Sequence, residues 1–208
     1  MIQKGLTVGL LEVNCYILGD EKTKEAVVID PGGDEAEILE ALNHHQLQLK
    51  LIIDTHGHFD HVDANQPLKA ATGAQIAIHE ADAQMLAQPS AEAMFFTGNR
   101  LRLSQPDILL KENDILTFGA YRLKVLHTPG HTQGGISLVL EDHPYVYVGD
   151  TLFAGSIGRT DFPGGDYDAL INGVRTKIFP LGDNYTVYPG HGPETTIGFE
   201  KQTNPFLT

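Results

Sequence analysis

The sequence predicts an α/β fold rich in strands. Three observations carry that prediction: short β-branched runs bounded by polar turns, apolar residues at helical spacing between them, and two later pairs of runs joined by tight turns. Val13-Asn-Cys-Tyr-Ile-Leu18 and Ala26-Val-Val-Ile-Asp30 read as strands, joined through the polar segment 19–25 into an opening hairpin. Asp34 is placed to cap a helix through Ile38, Leu39 and Leu42, whose spacing lays one apolar stripe. Residues 49–54 return as a strand. Residues 62–71 and 80–87 read as helices with a strand over 75–79 between them, so this half alternates in α/β fashion. In the second half, 115–118 and 121–126 form a hairpin about Gly119-Ala120, and 136–140 and 145–148 form another about Glu141-Asp-His-Pro144. Residues 166–179 are the last clear helix. Between the halves, residues 89–106 have little periodicity and are read as a functional or mobile loop that could border the pocket, with Met94, Phe95 and Phe96 assigned to core burial rather than to a pocket wall.

Size and composition narrow the setting. A chain of 208 residues is long enough for one domain with a large core, and we expect a single domain over 1–208. Hydrophobic residues make up 41% and charged residues 20%, as in ordinary globular proteins. No stretch approaches the roughly 20 apolar residues that a membrane-spanning helix needs. The apolar run near the N-terminus is stopped by Glu12 before a signal-peptide core forms, so a cytoplasmic protein is expected. Cys15 is alone, which excludes an intramolecular disulfide and suits a small buried residue. The formal net charge of −13 repels polyanions and argues against a nucleic-acid partner.

The chemistry is concentrated in Thr55-His56-Gly57-His58-Phe59-Asp60-His61, where three imidazoles and a carboxylate occupy six positions after an apolar run. Neutral imidazole and carboxylate are ligands for zinc, iron and manganese. His131 in His127-Thr-Pro-Gly-His131, Asp150 in Val148-Gly-Asp150 and His191 in Tyr188-Pro-Gly-His191 also follow apolar or β-branched runs and sit beside glycine. Seven donors exceed what one tetrahedral ion can use, so two adjacent divalent metals are the economical reading. Zinc is the first choice, with iron or manganese as alternatives. The remaining histidines read as structural or surface residues: His44 and His45 end a helix, His143 lies in a turn, and His79 and His127 end strands.

The pattern His-x-His-x-Asp-His with a later His, Gly-Asp and Gly-His resembles the metallo-β-lactamase superfamily, and the resemblance spans nearly the whole chain. Asp30-Pro-Gly-Gly33 looks like that family's first motif. Gly158-Arg-Thr-Asp-Phe-Pro-Gly-Gly165, Gly190-His-Gly-Pro-Glu-Thr-Thr-Ile-Gly198 and the ending Thr203-Asn-Pro-Phe-Leu207 look like the short, single-domain hydroxyacylglutathione hydrolases, the glyoxalase II type. The resemblance implies a four-layer αβ/βα sandwich, with two mixed sheets packed face to face and helices outside. It also implies that His56, His58 and His131 hold one metal, that Asp60, His61 and His191 hold the other, and that Asp150 bridges them. The implied reaction is hydrolysis of a glutathione thioester, S-lactoylglutathione foremost, by attack of a metal-bridging hydroxide. Asp60 and Asp150 are then the catalytic carboxylates, and Asp60 orients the hydroxide. Asp30 and Asp54, each ending an apolar strand, are candidates to accept the second N–H of a ligand imidazole, or else simply begin turns. Arg159 falls where the two-domain enzymes carry a lysine and is the candidate substrate contact; the competing reading is a local ion pair with Asp161.

Competing functions follow from the same residues. Persulfide dioxygenases share the fold and a Gly-Arg-Thr-Asp-Phe segment, and that reading puts one iron on His56, His131 and Asp150. A β-lactamase fits less well because no export signal is visible, and a flavin-linked diiron oxygen reductase would carry Glu where His58 stands. A non-catalytic metal-binding protein would not need all seven ligands. Oligomeric state is not legible.

Overall fold

The computed structural model describes residues 1–88, Met94 and residues 102–208. Alternation along its strands divides the apolar side chains among three buried clusters, and the clusters define the layers. The first sheet contains, in spatial order, β1 (Ile2–Val8), β2 (Val13–Gly19), β3 (Glu25–Ile29), β4 (Gln48–Ile53), β5 (Gln75–His79) and β6 (Ile108–Leu110). Its pairings are antiparallel from β1 to β3 and parallel from β3 to β6. The second sheet is built from β7 (Ile115–Phe118), β8 (Tyr121–His127), β9 (Ile136–Leu140) and β10 (Tyr145–Gly149). A small hairpin of β11 (Leu152–Phe153) and β12 (Ser156–Ile157) follows, and β13 (Thr186–Pro189) and β14 (Thr195–Thr196) complete the second sheet in the order β14-β13-β10-β9-β8-β7.

In β2, Val13, Cys15 and Ile17 face one side while Tyr16 and Leu18 face the other, the two-residue period of a strand buried on both faces. Tyr16, Leu18, Ile29 and Ile53 from the first sheet meet Phe118, Leu123, Val125, Leu138 and Tyr147 from the second. On the outer face of the first sheet, Val13, Cys15 and Ile52 pack with Ile38 and Leu42 of α1 (Glu35–His44) and Leu68 of α3 (Asn65–Thr72); α2 (Phe59–Val62) is a single turn between them. On the outer face of the second sheet, Val146 and Val148 pack with Leu170 of α4 (Tyr167–Gly173), with Val174 and Ile178 of the turns that continue it, and with Ile197 of α5 (Ile197–Thr203). The result is an α/β, four-layer αβ/βα sandwich. Fully burying such a side chain contributes about 1.5–3 kcal/mol, so stability resides in these layers and the loops at the strand ends are left to carry polar chemistry.

Several sequence expectations are corrected in detail. A strand over Ile2–Val8 precedes the expected hairpin. The expected helix over 62–71 is broken into α2 and α3, because the Ala64 N–H goes to the Pro31 carbonyl at 2.9 Å. Residues 80–87 form turns and one short 3-10 segment, Ala83–Leu86. The long helix over 166–179 is α-helical only to Gly173 and continues as a π-helical turn. It is also not the last, since α5 follows. Asp34 does not cap α1: its backbone is left-handed (φ 49°), and its carboxylate accepts from Gly9 N–H at 2.8 Å instead. The expected loop over 89–106 falls outside the described residues except for Met94 and 102–106, and Phe95 and Phe96 lie outside them. Met94 is 40% exposed, so its assignment to the core does not hold. Among the described residues, no helix is long and apolar enough to cross a membrane.

Candidate metal centre

Strands β8, β10 and β13 run in the same direction, since β9 is antiparallel to both β8 and β10 and β13 is parallel to β10. Their C-terminal ends therefore share one edge of the second sheet. Just beyond those ends lie His131, Asp150 and His191. The end of β4 in the facing sheet is tied to this edge by Ile136 N–H donating to the Thr55 carbonyl at 2.9 Å, which brings in His56, His58, Asp60 and His61. Asp60 and His61 sit on the single turn of α2, so they project away from the extended backbone of His58.

All seven sequence-derived donors converge. His58 Nδ1 lies 2.9 Å from His131 Nε2, and His61 Nε2 lies 3.3 Å from His191 Nε2. Asp60 Oδ2 is 3.3 Å from His191 Nε2 and 3.7 Å from His61 Nε2. Asp150 faces both groups, with Oδ1 3.5 Å from His61 Nε2 and Oδ2 3.5 Å from His131 Nε2. Ligand atoms of His56, His58 and His131 lie within 4.8 Å of one another, as do those of Asp60, His61 and His191, and those of His56, His61 and Asp150. The third trio links the other two into one continuous field of donors.

Electrostatics divides this field. Burial and the neighbouring imidazoles hold His56 well below the ordinary histidine value; burial and His131 bring His58 down to about 3. Lowering favours the neutral ring, the form that ligates a cation. On the other side, burial opposes charge on His61, but the carboxylates of Asp150, Asp60 and Asp30 outweigh it and raise the ring to about 10. Burial likewise opposes charge on His191, and Asp60 and Asp150 raise it; a cation bound at these two rings would displace the proton that the same carboxylates attract. Asp60 is held below the usual carboxylate range, because His61 and His191 outweigh its burial.

The donor set fits divalent metal ions. His56 Nε2 and Asp150 Oδ1 are buried inside the cluster without a hydrogen-bond partner among the described residues. Leaving such atoms unpaired costs about 1–3 kcal/mol each, a cost that a bound cation removes. The outer nitrogens are oriented as ligand imidazoles require: His131 Nδ1 is 2.7 Å from the Arg159 carbonyl and His61 Nδ1 is 3.0 Å from Asp30 Oδ2. Asp54 does not reach a ring; its Oδ2 accepts from Asn65 Nδ2 of α3 at 2.7 Å.

A cleft of about 370 Å³ opens over the donors, walled by Leu11, Phe59, Phe153, Ile157, Arg159 and Phe162. The guanidinium of Arg159 donates from Nε and Nη2 to Asp161 at 3.0 and 2.9 Å and lies 3.9 Å over the Phe162 ring. The local ion pair considered from sequence is thus present, and it leaves Arg159 at the rim of the cleft. Phe153, Ile157 and Phe162 were not read as pocket residues from sequence; the position of Phe162 three residues after Arg159 was the available signal. Cys15 is fully buried and away from the cleft, with its thiol pushed up by burial and by Asp30.

Comparison with known proteins agrees with this geometry. The family model described as Metallo-beta-lactamase superfamily matches residues 8–191. A curated relative from Haemophilus influenzae, Hydroxyacylglutathione hydrolase GloC, is 39% identical over 204 residues, covering 97% of this chain and 96% of that one. The crystal structure of BLEG-1 B3 metallo-beta-lactamase is 37% identical with a TM-score of 0.93, covering all of both chains (100% and 100%). TTHA1623, solved in a di-iron-bound form, is 34% identical with a TM-score of 0.84, covering 98% of this chain and 100% of that one.

Proposed function

The chain belongs to the metallo-beta-lactamase superfamily, and from that membership we propose that it is a binuclear metal-dependent thioester hydrolase acting on hydroxyacylglutathiones, S-lactoylglutathione foremost, as a single domain in the cytoplasm. The observation that carries the reading is the position of Asp150, whose two oxygens face His61 and His131, one from each group of donors. His56, His58 and His131 would hold one ion and Asp60, His61 and His191 the other, with Asp150 between. The likeness to GloC along its whole length supports the substrate class, and the di-iron form of TTHA1623 supports a pair of ions and keeps iron beside zinc as their identity.

When bound, such ions supply Lewis acidity for a carbonyl oxygen and bring the pKa of water from 15.7 to about 7. The protein's own part is to hold and shield the reacting groups. Asp150 and Asp60 set carboxylate oxygens 3.5 Å from His61 Nε2 and 3.3 Å from His191 Nε2, which holds the donors in register. Phe153, Ile157 and Phe162 line the apolar wall of the cleft and exclude water from the acyl side. Arg159, at the rim, would meet a carboxylate of the thiol portion by exchanging its pairing with Asp161. A thiolate leaves readily, since a thiol pKa near 8.5 demands little help from a general acid.

The likeness to BLEG-1 favours a second reading, hydrolysis of a β-lactam amide in the same cleft. Turnover of S-lactoylglutathione, a chromogenic cephalosporin and glutathione persulfide with oxygen uptake, all on protein with quantified metal, separates these two hydrolyses from each other and from the persulfide dioxygenation that the sequence also offered. Chelator-sensitive release of glutathione from the thioester is the expected result. Oxygen consumption with one iron per chain, or cephalosporin hydrolysis without thioesterase activity, would overturn it.

A further inference from the structure

One carboxylate outside the donor set is tied to it from two directions. Asp82 follows β5 and is 1% exposed. Its Oδ2 accepts from Gly57 N–H at 3.1 Å and from the Thr132 hydroxyl at 2.7 Å, and its Oδ1 accepts from Gly134 N–H at 2.7 Å. Gly57 stands between His56 and His58, and Thr132 is next to His131. The loops that carry these three histidines come from facing sheets and meet on this one side chain. The anchor is itself fixed: Asp82 N–H donates to the His79 carbonyl at 3.0 Å, and the Asp82 carbonyl accepts from Met85 N–H at 2.9 Å.

The approach is close because two residues lack side chains. A Cβ at Gly134 would lie 2.6 Å from Asp82 Cγ, and one at Gly57 would lie 2.6 Å from Met85 Cβ. A buried carboxylate that accepts three donors forms charge-assisted hydrogen bonds, the strong kind. The other group of donors is held at His61 by Asp30, which also accepts the Thr55 hydroxyl 3.2 Å from His56 Nδ1, whereas no hydrogen bond of the Asp82 carboxylate goes to Asp60, His61 or His191.

We propose that Asp82 is a positioning residue that sets the separation of the His56–His58 loop from the His131 loop, and so governs cation affinity at that trio but not at Asp60, His61 and His191. This rests on the metal reading of the cluster and not on the identity of the substrate. Gly57 and Thr132 transmit the restraint to ligands one residue away, and removing it lets His131 drift from His58.

The test is competition between the purified protein and a chromophoric chelator for zinc, on wild type, Asp82→Asn, Thr132→Val and Thr132→Ser, with circular dichroism as the check on folding. Asp82→Asn is expected to hold one zinc with unchanged affinity and to bind the second about tenfold or more weakly, the size usual for lost support of a metal ligand. Thr132→Val should weaken the same zinc and Thr132→Ser should restore it, which decides the matter if Asp82→Asn does not fold. Unchanged affinities in Asp82→Asn and Thr132→Val, equal weakening of both zincs, or failure of Thr132→Ser to rescue would each overturn the proposal. Wild type that binds two zincs but cleaves no thioester would sink the functional reading alone. Wild type that binds no zinc would sink both.

Discussion

Asp30 Oδ2 lies 3.0 Å from His61 Nδ1, with both side chains buried. The same oxygen accepts the Thr55 hydroxyl at 2.7 Å, and Oδ1 accepts the Thr55 backbone N–H at 2.7 Å. This pairing turns the ring so that Nε2 faces the donor field, 3.5 Å from Asp150. Asp30 holds a left-handed backbone (φ 52°), which costs a residue with a side chain about 1–2 kcal/mol. Such local strain persists where surrounding contacts over-determine it, as these three do.

Asp30→Asn keeps the shape but replaces one acceptor oxygen by a donor, so either Thr55 or His61 loses its partner. Zinc bound by Asp60, His61 and His191 is expected to weaken about 10–100-fold; the Thr55 hydroxyl that Asp30 also holds lies 3.2 Å from His56 Nδ1, so the other zinc is expected to weaken as well, unlike the selective loss in the Asp82 variants. Chelator competition measures both, and wild-type affinity at each would disprove the role of Asp30.

The wall of the cleft has its own support. Glu200 of α5 is fully buried; its Oε2 accepts from Gly155 N–H at 3.0 Å and Asn204 Nδ2 at 2.8 Å, and its Oε1 accepts from the Thr195 hydroxyl at 2.6 Å. Asn204 Nδ2 also donates to the Ser156 carbonyl at 3.0 Å. The C-terminal helix thereby clamps the β11–β12 turn, which carries Phe153 and Ile157 into the cleft. Glu200→Ala strands these donors and should cost about 2–3 kcal/mol in urea unfolding, and it should raise KM severalfold with kcat within about twofold. Unchanged KM and stability would show that the clamp carries no load.

The candidate ligands were legible because their chemistry is local: three imidazoles and a carboxylate in one short loop cannot be mistaken for a core pattern, and the later partners each stand by a glycine after a strand. The anchors were not. Asp82 and Glu200 are single acidic residues, and the Asp82 donors Gly57 and Thr132 lie 25 and 50 positions away. The four layers followed from strand alternation and family resemblance together, whereas weakly patterned elements escaped. Strand β1 lies at the sheet edge with only Val8 buried, so Lys4 and Gly5 mask its period. Helix α5 has seven residues and leaves Phe199 56% exposed, which erases an apolar stripe.

A pH-dependent contribution is expected at the β6 end of the first sheet. Lys69 Nζ contacts both Asp107 oxygens at 2.6 Å, and Ile76 N–H donates to Oδ2 at 2.8 Å; the Lys69 contact, then the Ile76 bond, hold this carboxyl below its ordinary value. A depressed carboxyl stabilises the fold fully above its unfolded pKa of about 3.9, and that share is lost as pH falls through the native value. The pair is part-exposed, so Asp107→Asn should cost only about 0.5–1 kcal/mol at pH 7. The gap from wild type in urea unfolding should close in acid; a gap that is constant with pH would refute the linkage.

Asp60 separates holding a metal from using it. Its Oδ2 is 3.3 Å from His191 Nε2, and the residue lines the cleft, so it touches both the donor field and the space where a substrate would sit. Asp60→Asn preserves volume and one acceptor oxygen but removes the charge that faces His61 and His191. Thioester turnover is expected to fall about 100-fold or more, the range for a group that handles a proton in the reacting complex. Metal content must be measured on the same sample, because a drop that simply tracks a lost ion makes Asp60 a ligand alone. An Asp60→Asn variant with both ions in place and wild-type kcat would remove this carboxylate from the catalytic machinery altogether.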